Sequence, residues 1–371
     1  MAGVSFSGAD RDAARRSRRF DMRRSRSLPV VDGRRMLQSR RLRRRAAFLA
    51  FAISPLVIAE AVLRGLELRE HRSPADAALL RPLHLPVGTV VDGRPVNAQG
   101  YWDDDFRAAP TPAVRRVALV GGSSTFGGDP RTNVADRLER SYPALRVDHY
   151  GLPDAGPRAF AAQLRREVLD GAPQLVLLFL SPDDVRRGES RSAWIEPRIW
   201  RFASSLMTPA GDARGAADFA PVGDYEVYLR RRAPFVAACL PEIDSETRRR
   251  QSDAQRSIAA AVEACRRRQV PVALVLAPTE YQLDAPLAAS LCRQSGYDAK
   301  QLDPARPQRT WTAYADRLTV PVIDLLPTFR AASGVLFETA SPRWNASGHA
   351  VAADAIARRL PALLPDEVAT K

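Results

Sequence analysis

Residues 116–128 read RVALVGGSSTFGG, and the change of character at residue 121 decides the fold. A short, nearly unbroken apolar run gives way to a turn of glycine and serine. Apolar runs without alternation belong to strands covered on both faces, which is the habit of parallel sheets. Four more runs repeat the pattern: LRVDHYG (145–151), QLVLLFL (174–180), VPVALVLAP (270–278) and TVPVIDL (319–325). Helical stretches lie around 133–141, 158–169, 247–268 and 305–317. A last helix spans about 346–360, with Asn345 as its N-cap, Arg358 and Arg359 in its final turn and Pro361 as its stop. This alternation predicts a three-layer α/β/α sandwich built on a mostly parallel five-stranded sheet. Ligands of such sheets gather at the carboxyl ends of the strands, so the residues just after each run are the place to look for chemistry.

Outward from this core, residues 116–361 form the expected domain, with 362–371 as a tail. The stretch 186–246 interrupts the alternation with Trp194, Trp200, Tyr225, Tyr228 and many Pro and Gly; it reads as a lid over the active edge or as a surface excursion. Residues 66–115, rich in Pro, Arg and Asp, read as a stalk and lead-in.

The first 65 residues have a different character. Residues 1–45 carry fifteen arginines against Asp10, Asp12, Asp21 and Asp32, so a net +11 of the chain's +14 sits in this leader. The remaining body is nearly balanced, which argues against a polyanion-binding surface and against nucleic acid as a partner. The leader itself is expected to be a disordered topology determinant; an anionic-lipid or nucleic-acid contact is the competing reading. Next comes AAFLAFAISPLVIAEAVL (46–63), whose only charge is Glu60 and only helix breaker Pro55. Arginines before an apolar segment of this length predict a signal anchor over 46–65, with the N-terminus cytoplasmic and the domain outside a bacterial inner membrane. A secretory signal cleaved near Ala59-Glu60-Ala61, or a buried amphipathic helix, would leave a similar pattern. Cys239, Cys265 and Cys292 form no CxxC pair, so no zinc site is expected, and three cysteines allow at most one internal disulfide.

The turn at 121–128 has no lysine for a Walker motif and no GxGxxG spacing, so neither a nucleotide nor another cofactor is expected. It does present Ser123 on a tight turn at the carboxyl edge, where backbone amides can face an oxyanion. The blocks VNAQGYW, GGSSTFG, DHYGLPDAG, LVLLFL with SPDD, and RWNASGH, in this order, resemble the SGNH/GDSL hydrolases in their bacterial membrane-anchored form, over about residues 90–361. The resemblance implies a flavodoxin-like sandwich and ester hydrolysis or acyl transfer on carbohydrate or lipid. It implies a serine nucleophile at Ser123, an oxyanion glycine at Gly151 and an oxyanion asparagine where Asp183 stands. It further implies a late Asp and His, but Ala340 or Ser341 and then Arg343 occupy those places.

These departures have chemical consequences. Arginine stays protonated and cannot accept a serine proton, and an ionised Asp183 offers an oxyanion no donor. The substitute bases are His149, close to Gly151, His349 inside the last helix, and Asp183 or Asp184; a turn or cap role is the structural alternative for the carboxylates. Two functions are compatible with this pattern. In the first, a degenerate envelope protein binds an acidic or acylated glycan, with Arg343 as an anion site or simply a solvated side chain. In the second, an active esterase or O-acyltransferase on envelope polysaccharide or lipid uses Ser123 with a non-standard base.

Overall fold

The computed structural model of the protein describes residues 54, 55, 58, 74–81, 83–91, 94–106, 114–125, 132–186 and 225–364. The chain forms two compact units divided between Pro55 and Leu56, and the second, Leu56–Lys371, contains the sheet and its helices. Residues 1–45, nearly all of the expected anchor, residues 187–224 of the expected lid and the end of the tail lie outside the described residues. Among the described residues no helix is long and apolar enough to cross a membrane.

Apart from a small antiparallel hairpin in the lead-in, Val90–Val91 with Arg94–Pro95, the strands among the described residues are β1 (Arg115–Gly121), β2 (Leu145–Gly151), β3 (Leu175–Leu180), β4 (Val272–Leu276) and β5 (Val322–Asp324). All pair in parallel, in the order β2-β1-β3-β4-β5, the doubly wound order whose switch point lies between β1 and β3. The helices are α1 (Pro74–Leu80), α2 (Val134–Ser141), α3 (Pro157–Gln163), α4 (Tyr225–Arg232), α5 (Ser245–Arg267), α6 (Ala285–Ser295), α7 (Arg306–Arg317), α8 (Leu326–Ala331), α9 (Ala346–Ala357) and α10 (Leu360–Leu363). The expected α/β sandwich on a five-stranded parallel sheet is therefore present, while the expected transmembrane helix before it falls almost wholly outside the described residues.

Alternation along each strand makes the three layers. Ala118, Val120, Val176, Leu178 and Leu274 pack with Phe160, Ile258 and Trp311 of α3, α5 and α7. Val117, Leu119, Leu177, Phe179 and Val275 pack on the other face with Leu138, Phe329 and Ile356 of α2, α8 and α9. Asn345 caps α9 as expected, accepting from the Ser347 and Gly348 N–H groups at 2.9 and 3.0 Å. Pro361 departs from expectation: it lies in the first turn of α10 rather than ending a helix, a place where its missing N–H costs nothing.

The lead-in is not merely a stalk. Tyr101 and Trp102 are fully buried. The Tyr101 hydroxyl bonds Glu167 and receives the Gln163 amide at 3.2 Å, while His84 Nε2 lies 3.2 Å from both the Tyr101 hydroxyl and Glu167. The Tyr101 and Phe106 rings pack on Tyr150 of β2 at 5.1 and 4.5 Å. Residues 101–106 thereby pack against β2, an edge strand of the sheet, a common way to protect an edge from pairing with another chain.

Past the undescribed part of 186–246, α4 and the turn Ala233–Cys239 pack with α6 in a small satellite core of Tyr228, Leu229, Val236, Cys239, Tyr281, Leu291 and Cys292. All three cysteines are buried free thiols, so no disulfide is formed. Burial pushes the Cys239 and Cys265 thiols up to about 12, which makes them packing groups rather than nucleophiles.

Candidate active site

β1 ends at Gly121, in register with Gly151 at the end of β2. The chain then turns: the Gly122 carbonyl accepts from the Thr125 N–H at 3.1 Å and from the Thr125 hydroxyl at 2.7 Å. Ser123 and Ser124 occupy the middle of that turn, both buried. Glycine is required at 122 for space. A Cβ there would sit 2.5 Å from the Ala155 carbonyl oxygen and 2.7 Å from Asp184 Oδ1, so the loops after β2 and β3 close directly on the serine turn. At Gly151 a Cβ would lie 2.7 Å from His149 Cε1 and 2.9 Å from Thr125 Oγ1. The structure thus brings Ser123, Gly151, His149 and Asp184 to one edge, as the sequence reading expects.

His149 and the two carboxylates after β3 bond to neighbouring groups, and His349 is packed inside α9. His149 Nε2 is 2.8 Å from the Thr125 carbonyl. A carbonyl only accepts, so this nitrogen carries the proton and donates, and the ring braces the serine turn from below. The His149 backbone N–H donates to Asp103 of the lead-in at 2.9 Å. Asp184 opens the short 3₁₀ turn Asp184–Arg186 and its Oδ2 accepts from the Ser181 N–H at 2.8 Å, the turn-closing role open to it from sequence. His349 is fully buried in α9, edge-on to the Trp344 ring at 5.6 Å.

Asp183, at the expected oxyanion position, turns toward the satellite core. Its Oδ2 pairs with Arg232 Nη2 at 2.6 Å, and its Oδ1 accepts from the Tyr281 hydroxyl at 3.0 Å. Arg232 also bonds Glu280 Oε1 through Nε at 2.7 Å, and the same oxygen accepts from the Tyr228 hydroxyl at 2.8 Å. The guanidinium lies 4.9 Å from the Phe235 ring centroid. Burial pushes the Glu280 carboxyl up, opposed by the Arg232 charge. Sequence reasoning missed Arg232, Glu280 and Tyr281. Their one sequence signal is Glu280 and Tyr281 directly after the β4 run; Thr279 and Gln282 bracket them in a capping box that fixes this turn.

Arg343 lies in the hairpin-like loop between Phe337 and Trp344, which bridge each other. Its Nε donates to Glu338 Oε2 at 2.8 Å, and Ser341 donates to the same oxygen at 3.2 Å. The guanidinium expected to meet an anion is therefore neither solvated nor bare but already faces a carboxylate. Among the described residues no cluster of His, Cys, Asp and Glu could hold a metal ion.

No protein-family model matches the sequence, and no curated protein matches it. Solved structures similar to the chain include a lipase/acylhydrolase from Enterococcus faecalis, at 16% identity and TM-score 0.37, over 69% of this chain and 100% of that one. A GDSL-like lipase from Bacteroides thetaiotaomicron is similar at 13% identity and TM-score 0.39, over 70% and 93%. A member of the lipolytic G-D-S-L family from Veillonella parvula is similar at 12% identity and TM-score 0.39, over 66% and 97%. These likenesses transfer neither an activity nor a residue's role to this chain.

Proposed function

We propose that this is a GDSL hydrolase-like protein that binds its ligand at the carboxyl edge of the sheet instead of turning it over. The observation that carries the reading is how the polar groups around the serine turn are engaged. His149 donates to the Thr125 carbonyl, Asp184 closes its own turn, Asp183 is paired with Arg232, and Arg343, paired with Glu338, cannot take a proton. A serine hydroxyl without a base is a poor nucleophile, and loss of the base from a working triad lowers turnover by up to about 10⁶.

The ligand class in this reading is an acylated glycan. An acidic one is disfavoured, because it would have to displace Glu338 from Arg343. The arginine-rich leader and the apolar segment 46–63 support tethering to a bacterial inner membrane with the domain outside.

A fluorophosphonate probe tests this. The expected result is no adduct on the folded wild-type protein, matching Ser123→Ala. An adduct confined to Ser123 would show that some group still activates the hydroxyl, and would return the protein to the active esterases or acyltransferases.

A further inference from the structure

Beside the serine edge, at the carboxyl ends of β4 and β5, lies a cavity of about 760 Å³, in the range of small-molecule sites. Neither Ser123 nor Gly151 is among the described residues that line it. Its walls are mainly apolar, including Leu283, Leu287, Phe329, Leu336 and Phe337, and its rim carries Tyr225 and Val335 at 53% and 73% exposure, two of the few large apolar side chains left in solvent. Ala340 in the same wall has a φ of 49°, a left-handed conformation that a non-glycine residue keeps only where its surroundings impose it, so this wall is held in one shape.

The charged groups of the wall are turned to partners within the protein. Asp284 Oδ1 accepts from the Leu287 N–H at 2.9 Å as the N-cap of α6. Glu338 faces Arg343 at 2.8 Å and takes the Ser341 hydroxyl. Arg330 donates to the Gln282 carbonyl at 3.5 Å, and its charge opposes the rise that burial gives the Asp324 carboxyl. Glu280 Oε1 takes Arg232 and Tyr228, and its Oε2 has essentially no accessible surface. What the described walls offer a ligand is therefore the removal of apolar surface from water, with no charge set out to select its sign.

We propose that this cavity takes a single uncharged alkyl chain, the acyl group of the acylated glycan proposed above. The source of the chain rests on that reading; the site itself does not, nor does it rest on Ser123 being inactive. The chain lies against Leu287, Leu336 and Phe337, and its polar end stays at the rim beside Tyr225 and Val335.

Calorimetric titration of the full chain with butyl and hexyl glucoside, 1-hexanol, hexanoate and hexylamine reads this out. Each methylene that enters the cavity should tighten binding about fourfold, so hexyl glucoside should exceed butyl glucoside by about fifteenfold. Hexanoate and hexylamine should agree within about fivefold, the most that a solvated charge at the rim is worth. Ala332→Phe fills part of the cavity and should flatten the chain-length dependence. Val335→Asp, at an exposed position that folding tolerates, should weaken hexyl glucoside. No binding of hexyl glucoside, affinity that does not grow with chain length, a larger preference between hexanoate and hexylamine, or binding untouched by both substitutions would each overturn the proposal. Binding of 1-hexanol as tight as that of hexyl glucoside would keep the chain site and take the sugar out of the proposed ligand. A Ser123 adduct alongside an intact chain-length dependence would remove the non-turnover reading alone, whereas no adduct and no chain-length dependence would remove this one alone.

Discussion

The carboxyl edge of the sheet has two halves, built on opposite principles. After β1, β2 and β3 the loops close on one another through backbone. Gly122 lies against the Ala155 carbonyl and Asp184, Thr125 folds back on Gly122, and His149 props the turn through a carbonyl. After β4 the edge is held by charge, with Arg232 buried between Asp183 and Glu280 and the Phe235 and Tyr281 rings against its guanidinium. The first half holds Ser123 on a turn whose polar neighbours bond to backbone. The second is built around one buried cation shared by two carboxylates.

The sharpest way to break this comparison is Arg232→Met. It would leave Asp183 and Glu280 as two buried carboxylates without their cation, and removing one partner of a buried ion pair costs about 3–5 kcal/mol. A fall of that size in denaturant-unfolding free energy is expected. Adding Asp183→Asn and Glu280→Gln should recover much of it, because replacing all the charges is far less costly than orphaning two. If Arg232→Met alone is neutral, the triad does not hold the second half together.

Gly122→Ala probes the other half. Its Cβ has no room beneath the serine turn, and overpacking of this kind costs about 1–3 kcal/mol. The loss should appear as a lower Tm. An unchanged Tm would mean that the loops after β2 and β3 do not close on Gly122 as tightly as the distances say.

The last probe concerns the lead-in. Burial raises the Asp103 carboxyl from 3.8 to about 7, against the opposing hydrogen bond from the His149 N–H. Between those two values the folded protein holds a proton that the unfolded chain has released, so stability falls as pH rises from about 4 to about 7 and is level above that. Asp103→Asn should flatten this part of the stability profile. A variant profile parallel to the wild type between pH 4 and 7 would place the titration elsewhere.

Much of the fold was legible in the sequence. The β2 run coincides with the strand, 145–151, and the other four runs overlap their strands with ends displaced by at most three residues. Strands buried on both faces are apolar throughout, so their signal is local. Helices α1, α4, α6, α8 and α10 were not anticipated, because short elements in stretches of mixed composition carry little periodicity and are held by what they pack against. The site divides in the same way. Ser123, Gly151, His149 and Asp184 were found because each lies at a strand end or within a few residues of one. Arg232 was not, since it lies 49 residues beyond Asp183 in sequence and becomes its partner only through the docking of α4.

The sequence by itself determined the parallel sandwich, the serine on its turn at the carboxyl edge, and the absence of histidine at position 343, all of which depend on residue type and short-range spacing. Tertiary structure alone decided what each polar group is bonded to. Asp183 became half of a buried ion pair, His149 a brace and Arg343 the partner of Glu338. A side chain's chemistry depends on the charges and donors within a few ångströms of it, and in a doubly wound sheet those neighbours come from distant parts of the chain.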